Sequence, residues 1–258
     1  MTRIILSGCL GRMGRAVCEA AALSGRCTVI AGIDAFAGSG TVLPFPVYTS
    51  PDEIPADFER PDVLVDFSHH TALPGLLAYA KKYNVPLVIA TTGHTEEELS
   101  AMHDAAKDAA IFYSRNMSLG INLLILLCKK AAQVLGEDFD IEIIEKHHNK
   151  KLDAPSGTAL MLADAISETF DGGKDYVYER QSVRRQREKR EIGIHAVRGG
   201  TIVGQHDVLF AGKDETITLA HEATSREVFA TGALKAAEFM VGKSAGLYDM
   251  NDLLKDVT

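Results

Sequence analysis

Arg3-Ile4-Ile5-Leu6-Ser7-Gly8-Cys9-Leu10-Gly11-Arg12-Met13-Gly14 runs from an apolar stretch straight into a glycine-spaced turn. Arg3–Ser7 has the character of a buried strand and ends at Gly8. Arg12–Leu23 has helical spacing, with Met13, Val17 and Ala20–Ala21 on one side. The glycines follow GxxGxxG, a variant of the dinucleotide fingerprint. Gly8 allows the tight turn, Gly11 lets the backbone approach a pyrophosphate, and Gly14 lets the helix pack close to a sheet. The next strand, Thr28–Ile33, ends at Asp34, about twenty residues past Gly14, where a carboxylate can accept hydrogen bonds from an adenosine ribose. The bland alternative is a tight turn with no ligand. Strand, turn, helix, second strand and acid together predict dinucleotide binding.

Outward from this unit, Val63–Phe67, Leu87–Ala90 and Ala110–Tyr113 are short apolar runs, separated by helical stretches at Ala72–Tyr83 and Glu96–Lys107. This alternation predicts an α/β fold of Rossmann type, a doubly wound parallel sheet with helices on both faces. The pattern then changes. Ile121–Leu135 reads as a long apolar helix, Thr158–Phe170 and Arg226–Met240 as further helices. Phe139–Glu145, Gly193–Val197, Thr201–Val203, Asp207–Ala211 and Glu215–His221 read as strands, with Gly199-Gly200 as a hairpin signal. The expectation is a second, α+β domain with an open mixed sheet. Residues 1–118 and 227–258 would form the dinucleotide-binding domain, and 119–226 the substrate-binding and oligomerisation domain.

The bulk properties narrow the class. Hydrophobic content of 46% and charged content of 24% over 258 residues are ordinary for a globular protein. A formal net charge of −8 argues against nucleic acid as a partner. Met1–Cys9 is too short for a signal peptide, and the longest apolar run, Ile121–Cys128, is short of a membrane span. Cys9, Cys18, Cys27 and Cys128 match no metal-ligand spacing and read as small core residues in a reducing, cytoplasmic compartment. The basic stretch Arg180–Arg190 reads first as a solvated loop or helix face, and second as an arm near an anionic substrate or a subunit contact.

The chemistry concentrates in Glu145–Ala159, which holds His147, His148, Lys150, Lys151 and the turn Ser156-Gly157-Thr158. A strand hands over to a helix here, so backbone N–H groups can bind an anion. Imidazole and ammonium groups beside such a site suit holding a carboxylate and moving a proton. Adjacent histidines on a strand point to opposite faces, and no zinc spacing accompanies them, so no metal is expected. His69-His70 read as loop residues, and His195, His206 and His221 as core or interface histidines.

The run His147-His148-x-x-Lys151-x-Asp153-Ala154-Pro155-Ser156-Gly157-Thr158-Ala159 resembles the signature of the dihydrodipicolinate reductase family. Gly8-x-x-Gly11-Arg12-Met13-Gly14, Thr91-Thr92-Gly93, Asn116-Met117-Ser118-Leu119-Gly120-Ile121-Asn122, Arg198-x-Gly200, Gly204-x-His206 and Ser225-Arg226 extend the resemblance over essentially the whole chain. Ala90, Met117 and Gln205 depart from the family's usual Gly, Phe and Glu.

The resemblance implies NAD(P)H-dependent reduction of a cyclic imine dicarboxylate, 4-hydroxy-tetrahydrodipicolinate, by way of dihydrodipicolinate to tetrahydrodipicolinate, in lysine and diaminopimelate biosynthesis. It implies His147 as proton donor and acceptor, with Lys151 as a second donor. His148, Lys151, Ser156, Gly157 and Thr158 would hold the substrate. Arg226 reads either as a bidentate carboxylate clamp or as a surface arginine. Gly8, Cys9, Leu10, Gly11, Arg12, Met13, Asp34, Ala90, Thr91, Thr92, Ser114, Arg115, Asn116 and Met117 would hold the cofactor. Asp34 should repel a 2′-phosphate and Ala35 offers no compensating charge, although Arg12 and Arg15 lie near, so NADH is expected to be preferred over NADPH. The resemblance also implies a homotetramer and a site in a cleft between domains. Two competing readings are another two-domain dehydrogenase, against which the full signature argues, and a non-catalytic NADH-binding redox sensor, which would have no reason to keep both His147 and Lys151.

Overall fold

The computed structural model describes residues 1–38 and 43–255. The chain opens with β1 (Thr2–Ser7), α1 (Arg12–Ser24) and β2 (Cys27–Ile33), the βαβ unit expected from the glycine turn. It continues through β3 (Val47–Tyr48), β4 (Val63–Asp66), α2 (Leu73–Tyr83), β5 (Leu87–Ile89), α3 (Glu96–Ala105) and β6 (Ala110–Tyr113). Next come α4 (Leu119–Leu135), β7 (Asp140–His147), α5 (Gly157–Ser167), β8 (Asp175–Val177), β9 (Glu191–Arg198), β10 (Gly204–Ala211) and β11 (Thr216–Ala223). The end is α6 (Glu227–Met240), β12 (Gly246–Tyr248) and α7 (Met250–Lys255). Two compact units result, Met1–Leu119 with Arg226–Thr258, and Gly120–Ser225.

In the first unit seven strands form one parallel sheet in the order β12-β6-β5-β4-β1-β2-β3. Alternation along β1 feeds both faces: Ile4 and Leu6 join a core with Val17 and Ala21 of α1 and Ala233 and Ala237 of α6. Ile5 joins the opposite core with Leu73, Leu76 and Ala80 of α2 and Met102 of α3. Strands covered on both faces read as continuous apolar runs, which is why the sequence betrays them. β2 and β4 flank β1, so the order of the sheet reverses there, the switch point at which open α/β sheets bind ligands.

The second unit holds a five-stranded mixed sheet in the order β11-β10-β7-β9-β8. β7 lies in the middle, antiparallel to β10 and parallel to β9. The expected strand at Thr201–Val203 is therefore corrected: those residues belong to the connection between β9 and β10. Gly199-Gly200 is not a hairpin, because β7 separates the two strands it joins. Its backbone serves β7 instead: Gly199 N–H donates to the His147 carbonyl at 2.9 Å, and Asn149 N–H donates to the Gly200 carbonyl at 3.2 Å.

Ile141 and Ile143 of β7 pack with Ile121, Leu124 and Cys128 of α4 and Leu162 and Ile166 of α5. The helical stretch Leu119–Asp138 is long and apolar enough to pass as a membrane span by length and composition, beyond what the run Ile121–Cys128 indicated. Ile121, Leu124, Cys128 and Ala132 face this core, whereas Leu123, Leu127 and Val134 are exposed. Arg180–Arg190 is a largely exposed loop, as first expected, but two of its arginines are held by carboxylates. Arg180 pairs with Glu142 at 2.7 Å and Glu191 at 2.6 Å, and Arg187 pairs with Asp140 at 2.7 Å and Glu142 at 2.9 Å.

Candidate active site

At the end of β1, Gly8 adopts φ +77°, and a Cβ there would stand 2.5 Å from the Phe67 carbonyl oxygen. A Cβ on Gly14 would lie 2.2 Å from the Gly8 carbonyl oxygen, so only glycine lets α1 start against the turn. Asp34, just past β2, accepts the N–H groups of Leu10 and Phe36, each at 3.0 Å. Gly8, Leu10, Asp34, Phe36 and Phe67 border a cavity of about 750 Å³ lined also by Gly11, Arg15, Ser68 and His69. Narrow backbone contacts at the glycines, a carboxylate at the second strand and a cavity at the switch point fit a dinucleotide.

The other expected cofactor residues differ in what they expose. Cys9 is fully buried in the core and Met117 is 2% exposed, so neither thiol nor thioether faces a ligand. A Cβ on Gly232 of α6 would sit on the Met117 carbonyl, which shows how tightly that backbone packs. Met13 packs on the same core, while Arg12 and Arg115 are exposed. Ala90, Thr91 and Thr92 follow β5, and Ser114 and Asn116 follow β6, at the carboxyl edge of the sheet. There Ser114 Oγ donates to the Asn116 carbonyl at 2.7 Å and accepts the Asn116 N–H at 3.2 Å. His69 borders the cavity, but His70 is no free loop residue: its Nδ1 lies 2.9 Å from Glu98.

In the second unit the period-two alternation of β7 continues past its apolar residues. Ile141, Ile143, Glu145 and His147 share the buried face. Glu145 is fully buried and His147 is 9% exposed. The Glu145 carboxylate meets His147 Nδ1 at 2.6 Å, accepts the Ser156 N–H at 2.9 Å, and takes both ends of the Arg198 guanidinium at 2.7 Å. Burial alone would raise this carboxyl, but the bonds from His147, Arg198 and Ser156 outweigh it and hold it down at about 2. Ser156 caps α5 by accepting the Ala159 N–H at 3.1 Å, and its Oγ lies 3.0 Å from His206 Nε2. The His206 and His147 rings meet edge to face, with centroids 5.2 Å apart.

The remaining expected substrate residues gather near this cluster in the chain. Lys151 Nζ pairs with Asp153 at 2.9 Å and is partly exposed. His148 follows the strand and is half-buried, and Gly157 and Thr158 open α5. Arg226 is exposed, immediately precedes α6 and belongs to the first unit. Two residues of the cluster, Glu145 and Arg198, carry no role in the sequence reading, and His206 is the buried histidine expected there but also part of the cluster. The signal for Glu145 was there, since a carboxylate two residues before His147 on one strand face must be buried with it and must find a partner. Among the described residues no group of three or more His, Cys, Asp or Glu is placed to hold a metal ion.

Comparison with known proteins agrees over both halves. Residues 2–117 match the family model for the N-terminus of dihydrodipicolinate reductase, and residues 120–254 the model for its C-terminus. A 4-hydroxy-tetrahydrodipicolinate reductase from Caldanaerobacter subterraneus subsp. tengcongensis is 54% identical over 255 residues, 99% of each chain. The protein of that name from Clostridium botulinum is 48% identical over 98% of each. Among solved structures, a dipicolinate-bound dihydrodipicolinate reductase from Paenisporosarcina sp. TG-14 aligns with a TM-score of 0.81 at 26% identity, covering 97% of this chain and 99% of that one. A myo-inositol dehydrogenase from Corynebacterium glutamicum, with a TM-score of 0.61 and 16% identity over 99% of this chain and 93% of its own, shares the fold. With both units and the full length matched, the chain belongs to the dihydrodipicolinate reductase family.

Proposed function

We propose that this chain is an NAD(P)H-dependent oxidoreductase that reduces 4-hydroxy-tetrahydrodipicolinate, by way of dihydrodipicolinate, to tetrahydrodipicolinate in lysine and diaminopimelate biosynthesis. The observation that carries the reading is the junction of β7 and α5. It places a buried imidazole, His147, in one hydrogen-bonded cluster with the capped start of a helix at Ser156. Bound nicotinamide supplies the hydride.

The protein's own residues do the rest. Gly8, Gly11 and the backbone of Cys9, Leu10, Arg12 and Met13 hold the pyrophosphate, and Asp34 holds the adenosine ribose. Ala90, Thr91, Thr92, Ser114, Arg115, Asn116 and the Met117 backbone hold the nicotinamide end. Asp34 disfavours a 2′-phosphate, so NADH is preferred, with Arg15 in the same cavity leaving some use of NADPH. Ser156, Gly157 and Thr158 bind one substrate carboxylate at the positive end of α5, helped by His148 and Lys151. His147 transfers the proton that balances hydride arrival, with Lys151 as the second donor. Arg226 serves the other carboxylate. The working form is a homotetramer in the cytoplasm.

The test is oxidation of NADH, followed by its absorbance, with substrate generated by condensing pyruvate with aspartate semialdehyde. Rapid turnover that falls by about 10²-fold or more in His147→Ala and in Lys151→Ala is expected. Dinucleotide binding without turnover would reject the enzyme reading.

A further inference from the structure

We propose that Glu145 is a positioning residue that keeps a proton on Nδ1 of His147, so that proton exchange takes place at Nε2, and that Gly204 leaves this nitrogen uncovered. The proposal deepens, and rests on, the reading of His147 as the proton-transfer group.

An ionised carboxylate can only accept hydrogen bonds. Glu145 is ionised because every direction around it supplies a donor: Arg198 from β9 grips both oxygens, and the Ser156 N–H takes one of them. The low carboxyl value of about 2 agrees with that geometry. His147 Nδ1, at 2.6 Å, must then be the donor. A neutral imidazole carries one ring proton, so its lone pair lies on Nε2, and in the imidazolium the proton on Nε2 is the one free to leave. Arg198 is itself anchored, donating to the Asp153 and Val197 carbonyls at 2.7 and 2.8 Å, so the carboxylate sits in a fixed frame.

Other groups leave Nε2 in possession of that role. His206, facing His147 from β10, is pushed down to about 4, first by burial and then by the charge of His147. His206 is therefore neutral near neutral pH and does not compete as a proton donor. A Cβ on Gly204 would stand 3.1 Å from His147 Nε2 and 3.4 Å from Cδ2. Gly204 is not among the glycines with positive φ. Its missing side chain therefore serves the space beside the ring rather than the backbone.

The first test is nitrogen NMR of wild-type protein labelled in its histidines, with His147 assigned by substitution. The Nδ1–H tautomer is expected in the neutral ring, and the Nε2–H tautomer would overturn the proposal. Glu145→Gln should remove the tautomer bias and move the midpoint of the rate profile to lower pH, because the imidazolium loses its carboxylate. It should lower kcat by about 10- to 100-fold, within what a general acid–base group supplies, while KM for dinucleotide stays within about threefold. An unchanged tautomer and rate profile in that variant would also overturn it. Should Glu145→Gln fail to fold by circular dichroism, the wild-type tautomer and Gly204→Ala decide. The latter should shift the His147 ring resonances and lower kcat, and wild-type resonances and rate would remove Gly204 from the arrangement. Near wild-type turnover in His147→Gln would reject His147 as the proton group, while the wild-type tautomer would still report the Glu145 contact, so the two failures are distinguishable.

Discussion

Ser156 Oγ lies 3.0 Å from His206 Nε2 while accepting the Ala159 N–H, so one hydroxyl both caps α5 and ties down a buried imidazole. Burial first, then the charge of His147, keeps His206 neutral in the fold, pushed down to about 4. In the unfolded chain the same ring titrates near 6.5. Between these values the unfolded state binds more protons, so stability is fully present above about pH 6.5 and falls as pH drops towards 4, by on the order of 3 kcal/mol. A second loss follows from about pH 4.5 to 2 as Glu145 is protonated. Urea unfolding at about pH 7, 5 and 3 resolves the two. His206→Gln should flatten the upper window alone. An unaltered slope between about pH 7 and 5 in that variant would assign the loss to another group.

The turn at Gly8 tolerates no side chain for two separate reasons, its φ of +77° and the Phe67 carbonyl oxygen 2.5 Å from the position of a Cβ. Gly8→Ala should cost more than about 2 kcal/mol and weaken dinucleotide binding. Gly25, which ends α1 at φ +62° with nothing within 4 Å of a Cβ, isolates the first reason. Gly25→Ala should cost about 1–2 kcal/mol and leave binding unchanged. Thermal melts and dinucleotide fluorescence titration measure both, and equal costs in the two variants would show that the carbonyl yields.

The same physics decides what the sequence discloses. β1, β4, β5 and β6 are covered on both faces, so each appears as an unbroken apolar run. β3 and β12 each pair with one neighbour over two or three residues, which leaves too little pattern to read. In the second unit the order of strands is set by distant pairing. Gly199-Gly200 has the composition of a hairpin, but β7, some fifty residues earlier, lies between the strands it joins. The candidate site divides in the same way. His147, Lys151 and Ser156 stand close together in the chain and their chemistry is legible. Arg198 and His206, 53 residues from Glu145 and 50 from Ser156, arrive only when β9 and β10 close on either side of β7.

Asp34 bonds the Leu10 and Phe36 N–H groups, so its carboxylate is fixed beside the cavity. If it sets cofactor choice by repelling a 2′-phosphate, Asp34→Asn keeps a similar shape and removes the charge. The ratio of kcat/KM for NADPH to that for NADH should rise by about tenfold or more, equivalent to about 1.4 kcal/mol. Steady-state kinetics with both cofactors measures it. An unmoved ratio would transfer selectivity to other residues around the cavity.

The four cysteines are free. Burial is the first cause that pushes Cys9 and Cys128 up to about 12 and Cys27 up to about 11, and it raises Cys18 as well. Thiolate is the reactive form, and only Cys18 is partly exposed. A chromogenic disulfide reagent at about pH 8 should label Cys18 slowly in the folded protein and all four in denaturant. Rapid native labelling of Cys9 would mean that the glycine turn opens.

Arg187 tests whether the basic segment is held by specific contacts or by charge in general. Its guanidinium donates to Glu142 at 2.9 Å and Asp140 at 2.7 Å, and to the Ile141 and Glu191 carbonyls at 3.1 and 2.5 Å. Glu142 also receives Arg180 at 2.7 Å and His195 at 2.8 Å. Burial raises its carboxyl, but bonds from His195 and Arg187 outweigh this and hold it below the usual carboxylate range. With a further bond to the Glu188 carbonyl at 2.8 Å, Arg187→Ala would strip donors from two carboxylates and three carbonyls together and should cost about 2–3 kcal/mol. Arg184 is exposed three residues earlier, and Arg184→Ala removes the same charge at a cost below about 0.5 kcal/mol. Denaturant unfolding of both variants at low and high salt separates the cases. Specific contacts predict a gap between the variants that persists in salt, because the bonds of Arg187 are partly buried, whereas similar losses that both vanish in salt would mean that the segment is held by net charge alone.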